Sequence, residues 1–278
     1  MSLLLFSVAV FAIAICAGLL GSLTGLGGGI VVTPALTLLL GVDLRYAIGA
    51  SLVSVIATSS GAAAAYVRDG LSNIRVGIFL EVATTFGAIT GALISGKLST
   101  SALAVVFGVV LLHSAWNASR PHADAKPRVG DSRLSRWLRL DGTYRSAEGE
   151  VDYTVTHEAG GFGLMYVAGL LSGLLGIGSG ALKVIAMDRV MGLPFKVSTA
   201  TSSFMIGVTA VASAMIYLKR GYIQPEIALP VMLGVLVGST TGARLLPRLP
   251  VPLLRKIFAV VVAVIAAQMM IEGLRGKV

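Results

Sequence analysis

Long apolar runs recur along the chain, separated by short polar or glycine-rich breaks. They predict helices at about 3–24, 30–41, 46–67, 76–96 and 101–117. A polar interval from 118 to 160 follows, and the pattern then repeats at about 161–175, 181–192, 198–218, 226–246 and 253–273. A helix that crosses a bilayer needs roughly 20 residues at about 1.5 Å each, so the second helix of each set is short for a crossing. The fold expected is all-α: a polytopic transmembrane helical bundle with residues 1–117 as a first repeat, 118–160 as a linker and 161–278 as a second repeat.

Displacing the sequence by 151 positions overlays the two halves without a gap. Gly18-Leu19-Leu20 falls on Gly169-Leu170-Leu171, and Gly25, Gly27 and Gly29 fall on Gly176, Gly178 and Gly180. Ser51 meets Ser202, Thr58 meets Thr209, Tyr66 meets Tyr217, and Thr90-Gly91-Ala92 meets Thr241-Gly242-Ala243. An odd number of crossings per half would set the halves in opposite orientations, as in inverted-repeat transporters whose sites lie at the repeat interface, built from broken half-helices.

Composition narrows the class. Hydrophobic residues make up 55% of the chain and charged residues 13%, with a mean hydropathy of +0.88. A soluble, disordered or coiled-coil chain needs more charge and less apolar character. Of the 35 charged residues (22 Lys and Arg, 13 Asp and Glu), 14 lie between Ala118 and Gly160. The net charge of +9 does not point to nucleic acid, because the cations sit at the ends of apolar runs or in the linker. With five crossings per half, 15 of the 22 Lys and Arg fall on the side of the linker and six on the other. The positive-inside rule then places the linker in the cytoplasm and both termini outside. The first apolar run has no preceding Lys or Arg and no clear A-x-A site, and is expected to stay as a mature helix.

The linker carries a basic amphipathic stretch from Arg133 to Leu140, and Thr143 to Val155 reads as a short β-hairpin turning at Glu148-Gly149. It is expected to be a solvated connector between the repeats.

Candidate chemistry starts at the paired glycine breaks, Gly25-Leu26-Gly27-Gly28-Gly29 and Gly176-Ile177-Gly178-Ser179-Gly180, each opening a short helix. A helix N-terminus offers unpaired N–H groups and the positive end of the helix dipole, and glycine lets an anion approach the backbone. Gly27, Gly28, Gly29, Gly178, Ser179 and Gly180 are therefore candidate anion-binding residues. In the following helices Ser51, Ser54 and Thr58, and Ser198, Ser202, Thr209 and Ser213, each line one face. Such hydroxyls can serve an oxyanion or bond back to their own helix; Ser51, Ser202 and Ser203 are the candidate ligands among them.

Lys183, three residues after the second break, lies where a cation is costly unless it meets an anion, snorkels or pairs, for instance with Asp188. Glu81, inside the fourth helix, is a candidate coupling carboxylate, though near enough to the helix start to reach water. Gly87, Gly91, Gly234, Gly238 and Gly242 recur every fourth position and predict close helix packing. The lone cysteine, Cys16, forms no intramolecular disulfide. No metal-ligand cluster, cofactor motif or catalytic triad signature is visible, so no metal, cofactor or enzymatic activity is expected.

The second break, running Gly176-Ile177-Gly178-Ser179-Gly180-Ala181-Leu182-Lys183 into Met191-Gly192-Leu193-Pro194 and Val197-Ser198-Thr199-Ala200-Thr201-Ser202, resembles the TauE/SafE sulfite exporter family. The resemblance covers nearly the whole chain outside the linker. It implies a multi-pass inner-membrane transporter of sulfur-containing anions such as sulfite, thiosulfate or organosulfonates. Thiosulfate-uptake members resemble one another in depending on pathway cysteines, which this chain lacks apart from Cys16. The expected function is a secondary transporter, an exporter of sulfite or organosulfonates working by alternating access. The alternative is an uptake carrier or channel-like conductor for thiosulfate or another small anion. The partners expected are a small anion, membrane lipid and, in the coupled case, a proton.

Overall fold

The computed structural model describes residues 3–24, 28–68, 70–119, 133–146, 149–245 and 251–276. In chain order it forms α1 (Leu3–Thr24), α2 (Gly29–Leu40), α3 (Leu44–Arg68), α4 (Ile74–Ser95) and α5 (Thr100–Ser119), followed in the linker by α6 (Arg133–Leu138), β1 (Gly142–Ser146) and β2 (Gly149–Tyr153). Then come α7 (Glu158–Leu175), α8 (Gly180–Ile185, prolonged by a π turn over Ala186–Val190), α9 (Phe195–Lys219), α10 (Pro225–Leu245) and α11 (Val251–Leu274). The fold is all-α apart from one antiparallel hairpin, in which Gly142 pairs with Tyr153 and Tyr144 with Val151.

The outer surface is that of a membrane protein. Among the described residues α1, α4, α7 and α9 contain stretches long and apolar enough to cross a bilayer. Leu4, Phe86, Met215 and Val260 are 63–76% exposed, which lipid tails accept because they are as apolar as these side chains. The α2 helix has 12 residues, about 18 Å of the roughly 30 Å hydrocarbon layer. It stops at Gly41, which takes the left-handed conformation (φ 63°) and lets Val42 N–H donate to Leu36 O. The α8 helix with its π turn is no longer. Each half therefore has four long helices and one short one in second place, the order that the apolar runs predict.

Glycines set which helices meet. Alpha carbons of Gly234 and Gly238 in α10 face the backbone of Phe11 and Ile15 in α1, and Gly87 and Gly91 in α4 face that of Tyr166 and Leu170 in α7. A Cβ at Gly91 would overlap the Leu170 carbonyl, and one at Gly238 the Ile15 carbonyl, so these helices meet backbone to backbone as the four-residue spacing predicts. Under the displacement of 151, α1 corresponds to α7 and α4 to α10, so partners are exchanged between the halves. The α3 helix packs on its counterpart α9, and α5 on its counterpart α11.

The linker is not a solvated connector. Leu140, Tyr153 and Val155 are buried with Val76, Leu80, Met187, Met191 and Val197, so it is packed onto one end of α4, α8 and α9. Asn73 fastens it: its Nδ2 donates to Leu140 O and to the Tyr153 hydroxyl, both at 2.8 Å. Its Oδ1 accepts from Val76 N–H and caps α4, and its backbone N–H donates to Thr201 Oγ1 of α9. Burial pushes the Tyr153 phenol above its ordinary pKa, with the nearby Asp141 carboxylate acting in the same direction and the bond from Asn73 against it. Two hydrogen bonds and three buried apolar side chains were hidden in a segment whose average composition is polar.

Candidate functional site

The two glycine breaks meet beside the midpoints of α3, α9 and α10. A Cβ at Gly28 would lie 2.9 Å from Val235 Cγ1 and 3.5 Å from the Gly18 alpha carbon; Val235 stands halfway along α10. A Cβ at Gly178 would lie 2.9 Å from Ile206 Cγ2 and 3.2 Å from Val55 Cγ1. Val55 and Ile206 are repeat counterparts, each halfway along its helix, α3 and α9.

Local contacts repeat across the two halves. Gly29 packs on Val55 and Ser51 as Gly180 packs on Ile206 and Ser202. The Ser51 hydroxyl lies 3.2 Å from Gly29 O, and the Ser202 hydroxyl 3.3 Å from Gly180 O. Ser51 also lies 2.9 Å from Gly176 O, which ties the first half to the break of the second. Backbone conformation differs: Gly28 is right-handed (φ −66°) while its counterpart Ser179 is left-handed (φ 47°), a conformation costing a side chain of this kind roughly 1–2 kcal/mol. Gly176 and Gly178 are left-handed as well. Gly27 lies outside the described residues.

The structure places the predicted residues unevenly. Gly28, Gly29, Gly178, Ser179, Gly180, Ser51 and Ser202 are buried together around the two breaks. The Ser51 and Ser202 hydroxyls spend their hydrogens on break carbonyls, so in this state Ser51 ties α3 to both breaks and Ser202 ties α9 to the second. The Ser179 hydroxyl is 4% exposed and has no hydrogen-bond partner among the described residues. Ser203 is only partly buried and donates to Thr199 O of its own helix, so it does not join the others. Ser54, Thr58 and Ser213 also bond back to α3 or α9.

Lys183 is fully buried. Its ammonium does not snorkel and its resolved partner is not Asp188: Nζ donates to Thr209 Oγ1 at 2.5 Å, and Thr209 Oγ1 in turn lies 2.7 Å from Glu81 Oε1. The snorkelling and Asp188-paired alternatives give way because α8 is too short to carry the side chain to an interface and α4 supplies an anion within one hydroxyl of it. Glu81 is 7% exposed, which corrects the expectation that it reaches water near the helix start. The packing of α4 on α7 and α9 closes it off. Thr85 adds a longer bond, 3.3 Å, to the same Oε1.

A cation from α8 and a carboxylate from α4 thus share one hydroxyl of α9, a residue that the sequence places on the hydroxyl-bearing face but not among the candidate ligands. Thr209 stands seven residues after Ser202 on one helical face, a spacing that marks both as facing the breaks. Nothing in the sequence linked positions 81 and 183. Cys16 is exposed on α1, and no group of three or more His, Cys, Asp or Glu suited to a metal exists among the described residues.

The family described as sulfite exporter TauE/SafE matches residues 10–269. The chain belongs to the TauE/SafE family. Its relatives include a probable membrane transporter protein, YunE, of Bacillus subtilis (strain 168), 29% identical over 94% of this chain and 96% of the relative. Another B. subtilis protein of the same description, YdhB, is 25% identical over 84% of this chain and 87% of its own length. A probable membrane transporter protein of Methanocaldococcus jannaschii is 25% identical over 82% of each chain. No solved structure matches the chain. A TauE/SafE membrane transporter is what these matches describe.

Proposed function

We propose that this TauE/SafE protein is a secondary transporter that exports small sulfur-containing anions, sulfite or organosulfonates, across the cytoplasmic membrane. The carrying observation is the meeting of two glycine breaks, one from each half, beside helix midpoints and the buried Lys183. A cation costs free energy in an apolar interior, and a permeating anion offsets it. The break N–H groups and the partnerless Ser179 hydroxyl add hydrogen-bonding capacity for oxyanion oxygens.

Alternating access is supported by the exchanged packing of α1 with α10 and α4 with α7, the pattern produced when two repeats are related by a twofold axis, as in secondary transporters built from repeats. The positive-inside rule puts the docked linker on the cytoplasmic side. Cys16 is exposed on the outer surface of α1 and does not favour a cysteine-dependent thiosulfate path. Proteoliposomes loaded in turn with labelled sulfite, sulfoacetate and thiosulfate test the reading. Native protein should release sulfite or the sulfonate, and Lys183→Ala or Ser179→Leu should cut that rate by about tenfold or more, the effect of about 1.4 kcal/mol on a barrier. Equal rates in all three proteins would reject the site, and single-channel currents would replace the carrier with a conductor.

A further inference from the structure

Lys183, Thr209 and Glu81 are arranged so that a bound anion must disturb them. Thr209, fully buried, joins Lys183 and Glu81 by a hydrogen bond to each. The ammonium has three donors, of which Thr209 takes one. Glu81 Oε1 accepts both hydroxyl bonds, whereas Oε2 is buried and has no hydrogen-bond partner among the described residues. A proton can therefore settle on Oε2 without breaking a hydrogen bond.

Other titratable groups lie on these elements, the buried Asp188 and Glu158 among them. On α7 the titratable groups are Glu158 in the first turn and Tyr166, whose hydroxyl goes to Thr90. On α9 they are Lys196 and Lys219 at the two ends and Tyr217, which bonds to Leu174 O. The π turn carries Asp188 and Arg189, and α4 itself carries Arg75 in its first turn. Among the described residues Lys183 is the one buried cation, so the Glu81 carboxylate and any anion at the breaks share it.

We propose that a monovalent anion and Glu81 compete for Lys183 through Thr209, so that each anion crosses together with one proton carried on Glu81. This rests on the carrier reading above and adds its coupling. With the site empty, Lys183 and Glu81 balance. With a monovalent anion on Lys183, the site would hold one net negative charge in a low-dielectric interior unless Glu81 takes a proton from the side the anion came from. Only the empty pair and the anion-plus-proton form are neutral, so only these two cross readily. The proton leaves on the far side as the anion departs and Thr209 re-engages the carboxylate. A monoanion such as hydrogensulfite or a monosulfonate fits this balance, and a dianion leaves one charge over. Export of an anion that accumulates inside then removes acid equivalents with it.

Purified full-length protein in proteoliposomes, with labelled isethionate as the probe and a pH-sensitive dye, tests the coupling. Isethionate is a monovalent sulfonate and too strong an acid to cross lipid in neutral form. Net uptake by the native protein should move about one proton per anion. Glu81→Gln leaves Lys183 unbalanced when empty, so the empty form should return about a hundredfold more slowly. Net uptake and proton movement should fall by that factor, while exchange of labelled for unlabelled isethionate, which never needs the empty form, persists. Persistence of exchange also shows that the variant is folded. Native uptake without proton movement, or Glu81→Gln retaining coupled net uptake or losing exchange, would overturn the coupling and leave the carrier standing. Native protein that neither takes up nor exchanges isethionate, sulfite or sulfoacetate would overturn the carrier reading and the coupling with it.

Discussion

At the scale of single residues, Lys183, Glu81 and the Thr209 hydroxyl between them form one hydrogen-bonded chain in the interior. Removing one partner of a buried pair costs about 3–5 kcal/mol because the other charge stays behind, whereas removing both is far milder. Lys183→Met should therefore lower the unfolding midpoint in detergent well below the native value, and adding Glu81→Gln to it should raise the midpoint again. A double variant no more stable than Lys183→Met alone would show that Glu81 and Lys183 do not feel each other. Both residues stood out in the sequence, as charges inside apolar runs. Their partnership did not, because it depends on α4 and α8 converging on α9, and a contact between residues about a hundred positions apart leaves no periodic trace. The hydroxyl-rich faces misled in the opposite way: most of those side chains bond to their own helix, an option open to any Ser or Thr in an apolar helix.

At the scale of elements, helix existence and ends were legible because apolar runs of bilayer length and glycine or proline breaks are local signals. The docking of the linker is not legible in the same way, because Leu140, Tyr153 and Val155 stand in a stretch from 140 to 155 whose charged, serine and threonine residues make up half of its sixteen positions. Glycine packing gives the sharpest local test. A Cβ at Gly173 would overlap the carbonyl of Ala88, so α4 and α7 have no room for it, whereas one at Gly163 on the same helix meets nothing within 4 Å. Gly173→Ala should destabilise by about 1–3 kcal/mol through forced separation of the pair. Gly163→Ala should be neutral or stabilising by up to about 1 kcal/mol, since alanine is the better helix former. Thermal unfolding of the two variants side by side checks this, and equal losses would mean that the α4–α7 contact does not set stability.

At the scale of the whole molecule, the duplicated sequence announces two halves, but how they touch emerges only in three dimensions. The exchanged pairs bind α1 to α10 and α4 to α7, and α3 and α9 cross between them at the breaks, so any rocking of one half against the other must shift α3 along α9. That contact can be locked. The Cβ of Ser59 in α3 lies 3.5 Å from where a Cβ at Gly207 of α9 would stand, within the Cβ separation of a disulfide, about 3.5–4.5 Å. In a Cys16→Ser background, the pair Ser59→Cys and Gly207→Cys should close on oxidation. Anion flux in proteoliposomes should then stop, and reduction should restore it to the level of the reduced protein. Complete cross-linking with flux undiminished would mean that transport proceeds without movement between α3 and α9, and the two halves would have to be treated as one rigid body around a conducting path.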